Sequence, residues 1–211
     1  MFLLSHPSFD FEMVYYNADG KVGSMCGNGG RCIVAFAKHL GIIDRQAHFL
    51  AVDGEHYAKI SAEGNWVDLQ MINVNEVSKD GNAYVLNTGS PHYVLEVQQL
   101  KTMDVYNEGK RIRNNDTYKA QGINVNFVED KGDHLFVRTF ERGVEDETYA
   151  CGTGATAVAL AMARHLHQQG HIETPIAVLG GRLNIKFDYD GNAFTNIFLG
   201  GPAEQVFEGK I

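Results

Sequence analysis

The run Cys26-Gly27-Asn28-Gly29-Gly30 returns later in the chain as Cys151-Gly152-Thr153-Gly154-Ala155, and the flanking sequence returns with it. Upstream, residues 11–17 align with residues 135–141, two strand-like runs of bulky and β-branched residues that each end in a polar residue. Downstream, small apolar runs at 33–40 and 157–166 read as helices, and residues 51–57 and 178–184 read as hairpins turning at glycine. Residues 66–69 and 194–197 complete the match. The offset stays between 124 and 128 positions throughout. A chance pair of glycine-rich loops would not carry its strands and helix in the same order, so the chain is expected to contain one α+β unit twice. We place the lobes at 1–82 and 83–211. Residues 1–25 precede Cys26, against 84–150 before Cys151, so the first lobe is expected to lack about 40 leading residues of the repeat.

With 211 residues, 44% of them hydrophobic, the chain is long enough for one large domain or two of about 100 residues each. Its net charge of −8 and the absence of a long basic run argue against nucleic acid or an anionic membrane as partner. Met1-Phe2-Leu3-Leu4 is too short for a signal peptide, and no apolar run is long enough to span a bilayer. Three cysteines without a CxxC pair fit neither a disulfide scaffold nor a four-thiolate zinc site, so thiols in a cytoplasmic setting are expected.

A cysteine followed by Gly-x-Gly at a helix start has a definite chemistry. The helix dipole and the unpaired N–H groups of the first turn favour a thiolate, and glycines let a ligand carboxylate approach the backbone. Repeat symmetry would set two such thiols facing one another. That arrangement suits inversion of a stereocentre next to a carboxylate, where one face loses a proton and the other gains one. The carbanionic transition state would be held by hydrogen bonds in a site closed to water, and no cofactor or metal site is expected. Neither GxGxxG spacing nor a following Gly-Lys-Ser/Thr is present, which sets nucleotide binding aside.

His92, in the turn sequence Gly89-Ser90-Pro91-His92, and Glu141, at a strand end before Cys151, can each exchange a proton with a cysteine. The other eight histidines read as surface residues. Cys32 reads as a packed structural thiol, and Arg31 as either a surface cation or a carboxylate anchor.

Asn17-Ala18-Asp19-Gly20 followed by Met25-Cys26-Gly27-Asn28-Gly29-Gly30-Arg31-Cys32 resembles the signature of diaminopimelate epimerases. Glu141-Arg142-Gly143, Glu147-Thr148 and Ala150-Cys151-Gly152-Thr153-Gly154-Ala155 resemble their second signature, and Gly122-Ile123-Asn124-Val125-Asn126-Phe127 another family segment. The resemblance implies two pseudo-symmetric lobes, each a barrel-like, mostly antiparallel sheet around a central helix. In the family the active site lies in the cleft between the lobes, and the first lobe would here be incomplete. It implies interconversion of LL- and meso-diaminopimelate for lysine and peptidoglycan synthesis, with Cys26 and Cys151 as acid and base. By the same resemblance His92 would support Cys26 and Glu141 would support Cys151. The small-molecule diamino acid would be held by Asn17, Gly27, Asn28, Asn124, Glu141, Arg142, Gly152 and Thr153. The family has Gly-Asn-Pro-His where this chain has Ser90, so the asparagine contact to substrate would pass to the Ser90 hydroxyl or to a water. The family's leading segment, with its Gly-Asn-Asp motif, has no counterpart here. A homodimer is one partner state in view. The alternatives are a racemase or isomerase of the same fold acting on proline, hydroxyproline or another small acid, and a short form that binds a small ligand with little turnover.

Overall fold

The structure is a computed structural model that describes residues 1–16, 20–23 and 26–209. It divides into two compact units, Met1–Gln70 with Phe198–Ile211, and Met71–Ile197. The division falls at Gln70 rather than at residue 82 because Val77–Asp80 pairs with the strand that follows it, and the end of the last strand pairs back into the first unit.

The first unit contains β1 (Phe2–Leu4), β2 (Phe11–Val14), α1 (Gly27–His39), β3 (Gln46–Ala51), β4 (Gly54–Ile60) and β5 (Trp66–Gln70). Its strands lie in that order, antiparallel except where β2 runs parallel to β3. In β4 the alternation puts His56, Ala58 and Ile60 inward. Phe11 and Phe49, partners across β2 and β3, stack at 4.8 Å in the core, and each buried phenylalanine contributes about 2–3 kcal/mol. Helix α1 packs on β4 and β5 through a face that includes Ile33, Val34 and Ala37. Cys32, Phe36 and His39, at i, i+4 and i+7, share its exposed face.

The second unit contains β6 (Val77–Asp80), β7 (Ala83–Asn87), β8 (Pro91–Glu96), α2 (Val105–Arg113), β9 (Asn124–Asp130), β10 (Leu135–Glu141) and β11 (Asp146–Thr148). Then come α3 (Gly152–His165), β12 (Gly170–Val178), β13 (Gly181–Tyr189) and β14 (Phe194–Pro202), whose last residues belong to the first unit. The sheet order is β6-β7-β8-β9-β10-β12-β13-β14, with β11 attached to β10. The pairs β8/β9 and β10/β12 are parallel. Helix α3 touches β7, β8, β9, β10, β12 and β13, and every residue from Gly154 to Ala163 is buried. A helix apolar on all sides is one enclosed on all sides. The opposite face of β9 and β10 carries Val125, Phe127 and Phe140 into a second cluster with Val105 and Ile112 of α2. The two faces alternate strictly: Asn124 and Asn126 on β9, and Thr139 on β10, are buried on the face away from α2.

The repeat is visible in the elements. β2 before Cys26 corresponds to β10 before Cys151, and both run parallel to the strand after the helix (β3 and β12). The hairpin closed by Ala51 and Gly54 corresponds to the one closed by Val178 and Gly181.

Candidate active site

Both cysteines are N-caps. Cys26 precedes α1 with φ −108° and ψ 116°, and Cys151 precedes α3 with φ −112° and ψ 109°. Each carbonyl accepts the first helical bond, from Gly30 N at 2.7 Å and from Ala155 N at 2.9 Å. Neither helix has an acidic residue in its first turn. The positive helix end therefore acts on each thiol without a nearby competing carboxylate from its own first turn.

In the first unit Cys26 is half-buried, and its Sγ accepts from Gly29 N at 3.5 Å. Arg31, which the sequence leaves unassigned, is buried. It donates from Nη2 to Asn28 Oδ1 at 3.0 Å and from Nη1 to the Gly27 carbonyl at 3.4 Å. Burial lowers its pKa, opposed by the attraction that negative charge on Cys32 or Cys26 would exert. It therefore orients Asn28 from within the helix. Asn17 and its neighbours Ala18 and Asp19, as well as Met25, lie outside the described residues.

In the second unit Ser90, His92, Asn124, Thr153 and Cys151 are linked by hydrogen bonds at the start of α3, with the Arg142 backbone N–H joined to Asn124. The β7–β8 turn is built by Gly89 at φ 110°, whose N–H bonds to Asn87 Oδ1. Thr88 Oγ1 donates to the Thr153 carbonyl at 2.8 Å, which ties that turn to the helix start. Asn124 is oriented by backbone groups at both ends: Nδ2 donates to the Pro91 carbonyl at 3.1 Å, and Oδ1 accepts from Arg142 N at 2.9 Å. Its second amide hydrogen reaches Ser90 Oγ at 3.1 Å. Asn126 is oriented likewise, because Nδ2 donates to the Tyr93 carbonyl at 3.0 Å while Oδ1 accepts from Thr139 Oγ1 at 3.0 Å. The same Nδ2 donates to His92 Nδ1 at 3.1 Å.

That last bond fixes the histidine tautomer. Nδ1 accepts, so the proton sits on Nε2, which lies 2.9 Å from Ser90 Oγ. His92 is fully buried, and burial, with the Arg142 charge adding to it, lowers its pKa to about 3 against the Asn126 bond. The ring is neutral, and both its nitrogens are engaged within the second unit. Because its folded pKa is depressed, this histidine favours the fold above its unfolded pKa near 6.5, and the contribution is lost as pH falls from there toward 3. Between pH 6.5 and 4.5 we expect it to cost wild type about 2 kcal/mol that a His92→Asn variant does not lose. Denaturant titrations of both proteins at the two pH values measure this, and parallel pH dependence would contradict it.

Glu141 ends β10, half-buried, and accepts from Thr148 Oγ1 at 3.0 Å. Arg138 fixes that hairpin by pairing with both carboxylate oxygens of Glu147, at 2.6 and 2.7 Å. Arg142 is half-buried and donates from Nη1 to the Gln121 carbonyl at 3.2 Å.

Two expectations fail on periodicity. Cys32 is exposed, because its helical position puts it on the outer face of α1. His56 is buried, because it occupies an inward position on β4, stacked on Phe49 and bonded to Asp53 Oδ1 at 2.9 Å. The sequence also gave no role to Asn126, Thr139, Thr88 or Thr148. Polar residues at alternate positions in the apolar β9, with Asn124 two residues before Asn126, were the available signal.

A family model described as diaminopimelate epimerase matches residues 84–206. The chain is 51% identical over 210 residues to the diaminopimelate epimerase of Flavobacterium psychrophilum, covering 99% of this chain and 81% of that protein. It is 36% identical to the Aquifex aeolicus diaminopimelate epimerase, covering 98% of this chain and 76% of that one. Among solved structures, a hydroxyproline epimerase from Agrobacterium vitis superposes with TM-score 0.71 at 13% identity, over 98% of this chain and 72% of that one. A Bacillus anthracis protein of the PhzF family superposes with TM-score 0.69, also at 13% identity, over 96% and 81%. These likenesses show the fold: α+β, largely antiparallel, with few helices. With a helix-capping cysteine in each repeat and matches of this extent and identity, the chain belongs to the diaminopimelate epimerase family.

Proposed function

We propose that the chain interconverts LL- and meso-2,6-diaminopimelate, in lysine and peptidoglycan precursor synthesis in the cytoplasm, with Cys26 and Cys151 as the two proton-transfer groups and no cofactor. The observation that carries this reading is the pair of cysteines capping equivalent helices with nearly the same backbone angles. One cysteine, as thiolate, takes the α-proton and forms S–H while the C–H electron pair moves toward the carboxylate. The other, as thiol, gives its proton to the opposite face of Cα. N–H groups of Gly27, Asn28, Gly152 and Thr153 at the two helix starts supply fixed donors for a carboxylate and for the charge that builds on it. Arg142 adds a cation for a carboxylate, while Glu141 and the remaining lone pair of Asn124 Oδ1 suit an ammonium group.

Chiral chromatography of LL-diaminopimelate incubated with the protein, with chelator and without pyridoxal phosphate, tests this. Accumulation of the meso isomer is expected, with L-proline and trans-4-hydroxy-L-proline left unchanged. Turnover of either proline without turnover of diaminopimelate would overturn the substrate assignment.

A further inference from the structure

Ser90 stands where the family resemblance implies an asparagine that touches substrate, yet its hydroxyl is surrounded by protein groups. Oγ lies 2.9 Å from His92 Nε2, 3.1 Å from Asn124 Nδ2 and 3.3 Å from Thr153 Oγ1. Thr153 Oγ1 in turn lies 3.5 Å from Cys151 Sγ. Distances alone leave the direction of the last two bonds open, since either oxygen, and either Oγ1 or Sγ, can donate.

Hydrogen counting settles the Ser90–Thr153 direction. The backbone carbonyls of Tyr93 and Pro91 can only accept, so they fix which end of Asn126 and of Asn124 is the amide nitrogen. Asn126 then donates to His92 Nδ1, which leaves Nε2–H as the donor to Ser90. Asn124 also donates to Ser90. A serine hydroxyl has two acceptor positions and one hydrogen. With both acceptor positions filled, the Ser90 hydrogen goes to Thr153 Oγ1, and the Thr153 hydrogen is available to sulfur, the one sense that bond can take when Cys151 is a thiolate.

We propose that Ser90 and Thr153 form a one-directional hydrogen-bond relay, anchored by His92 and Asn124, that presents an O–H donor to Cys151 Sγ and favours its thiolate. This rests on the Cys151 role proposed above and extends it. Thr153 touches the reacting sulfur, and Ser90 is a positioning residue acting through it. The relay also gives His92 a task different from the one its sequence position suggests: it is a neutral donor whose line of bonds leads to Cys151. A chain of bonds all polarised in one sense strengthens its last donor.

The test is a pH titration of the protein labelled with 13C at cysteine Cβ, following the Cys151 resonance, which is assigned by its loss in Cys151→Ser. Exposed Cys32 in the same spectrum is the internal reference. Thr153→Val keeps the shape and removes the donor, and we expect it to raise the Cys151 midpoint by about one pH unit, a roughly tenfold loss of thiolate fraction below the midpoint. Thr153→Ser should restore the wild-type midpoint, and Ser90→Ala should raise it by a smaller amount. The Cys26 midpoint should stay in place in all three. If Thr153→Val misfolds, Thr153→Ala serves instead. An unchanged Cys151 midpoint in a folded variant lacking the Thr153 hydroxyl would overturn the relay, as would a Thr153→Ser protein that behaves like the valine variant. No substrate enters this titration, so missing diaminopimelate turnover would count against the proposed function alone, and an unmoved midpoint against the relay alone.

Discussion

Replacing Cys151 with alanine is expected to lower epimerase turnover by about 10³-fold or more, and replacing Cys26 to do the same. In the proposed mechanism each cysteine has one half of an indivisible task, since a proton removed from one face must be replaced on the other. The two losses should therefore not add, and the double variant should be little worse than either single one. Serine should not rescue, because an aliphatic hydroxyl at a helix N-terminus stays protonated where a thiol can ionise. The fold should survive, since alanine fills most of the space of a small buried thiol. Cys32→Ala is the matched control: that thiol is on the exposed face of α1, and turnover should stay within about twofold. A Cys151→Ala protein keeping a tenth of wild-type turnover would contradict the assignment. Initial rates on LL-diaminopimelate, with circular dichroism to confirm folding, decide it.

Gly154→Ala is the second large effect, and it sets two opposing terms against each other. In a helix, alanine gains up to about 1 kcal/mol over glycine. At Gly154, however, a Cβ would stand 2.4 Å from Asn126 Oδ1 and 3.3 Å from Cys151 Sγ. Asn126 is fully buried and holds Thr139, the Tyr93 carbonyl and His92 together, so it cannot move without leaving buried polar groups unpaired, at about 1–3 kcal/mol each. The clash wins. We expect a net loss of about 3 kcal/mol, a melting temperature lower by roughly 10 °C, and activity reduced about 10²-fold through the displaced His92 network. Gly29 holds the equivalent place in the first repeat, but among the described residues a Cβ there would meet only ordinary contacts, at 3.4 Å from Met1 Sδ and 3.5 Å from Cys26 Cβ and Met13 Cε. Gly29→Ala should therefore be neutral or slightly stabilising. Equal melting shifts for the two substitutions would show that the Asn126 contact does not decide the matter.

That asymmetry also marks how far a sequence can be read. The repeat is legible because duplicated strands and helices must keep their periodicity to fold, and a constant offset survives small insertions. Cys26 and Cys151 are legible as helix caps because a residue followed by Gly-x-Gly and a run of small apolar residues has few other local solutions. The pairings across strands are not. Asn126 and Thr139 become partners only through the β9–β10 register, and Ser90 meets Thr153 only because Thr88 pins the β7–β8 turn to α3. His92 and Glu141 could be picked out as titratable groups near turns, but the direction of the His92 bonds depends on Asn126, 34 residues away, and the Glu141 bond on Thr148 across a hairpin. Cys32 and His56 show the converse failure, where composition of the neighbourhood outweighed the helical and strand periods that decide which way each points.

The central claim is a transfer between two groups, and the isotope in each isomer during the first turnovers tests it most directly. LL-diaminopimelate is incubated in D2O with enzyme already exchanged into D2O, the reaction is stopped at low conversion, and the isomers are separated and examined by mass spectrometry. Two thiols on opposite faces predict deuterium at the inverted Cα of the meso product while remaining LL substrate keeps its hydrogen. Meso product that retains the original hydrogen would mean a single group carries the proton across, and would contradict the roles given to Cys26 and Cys151.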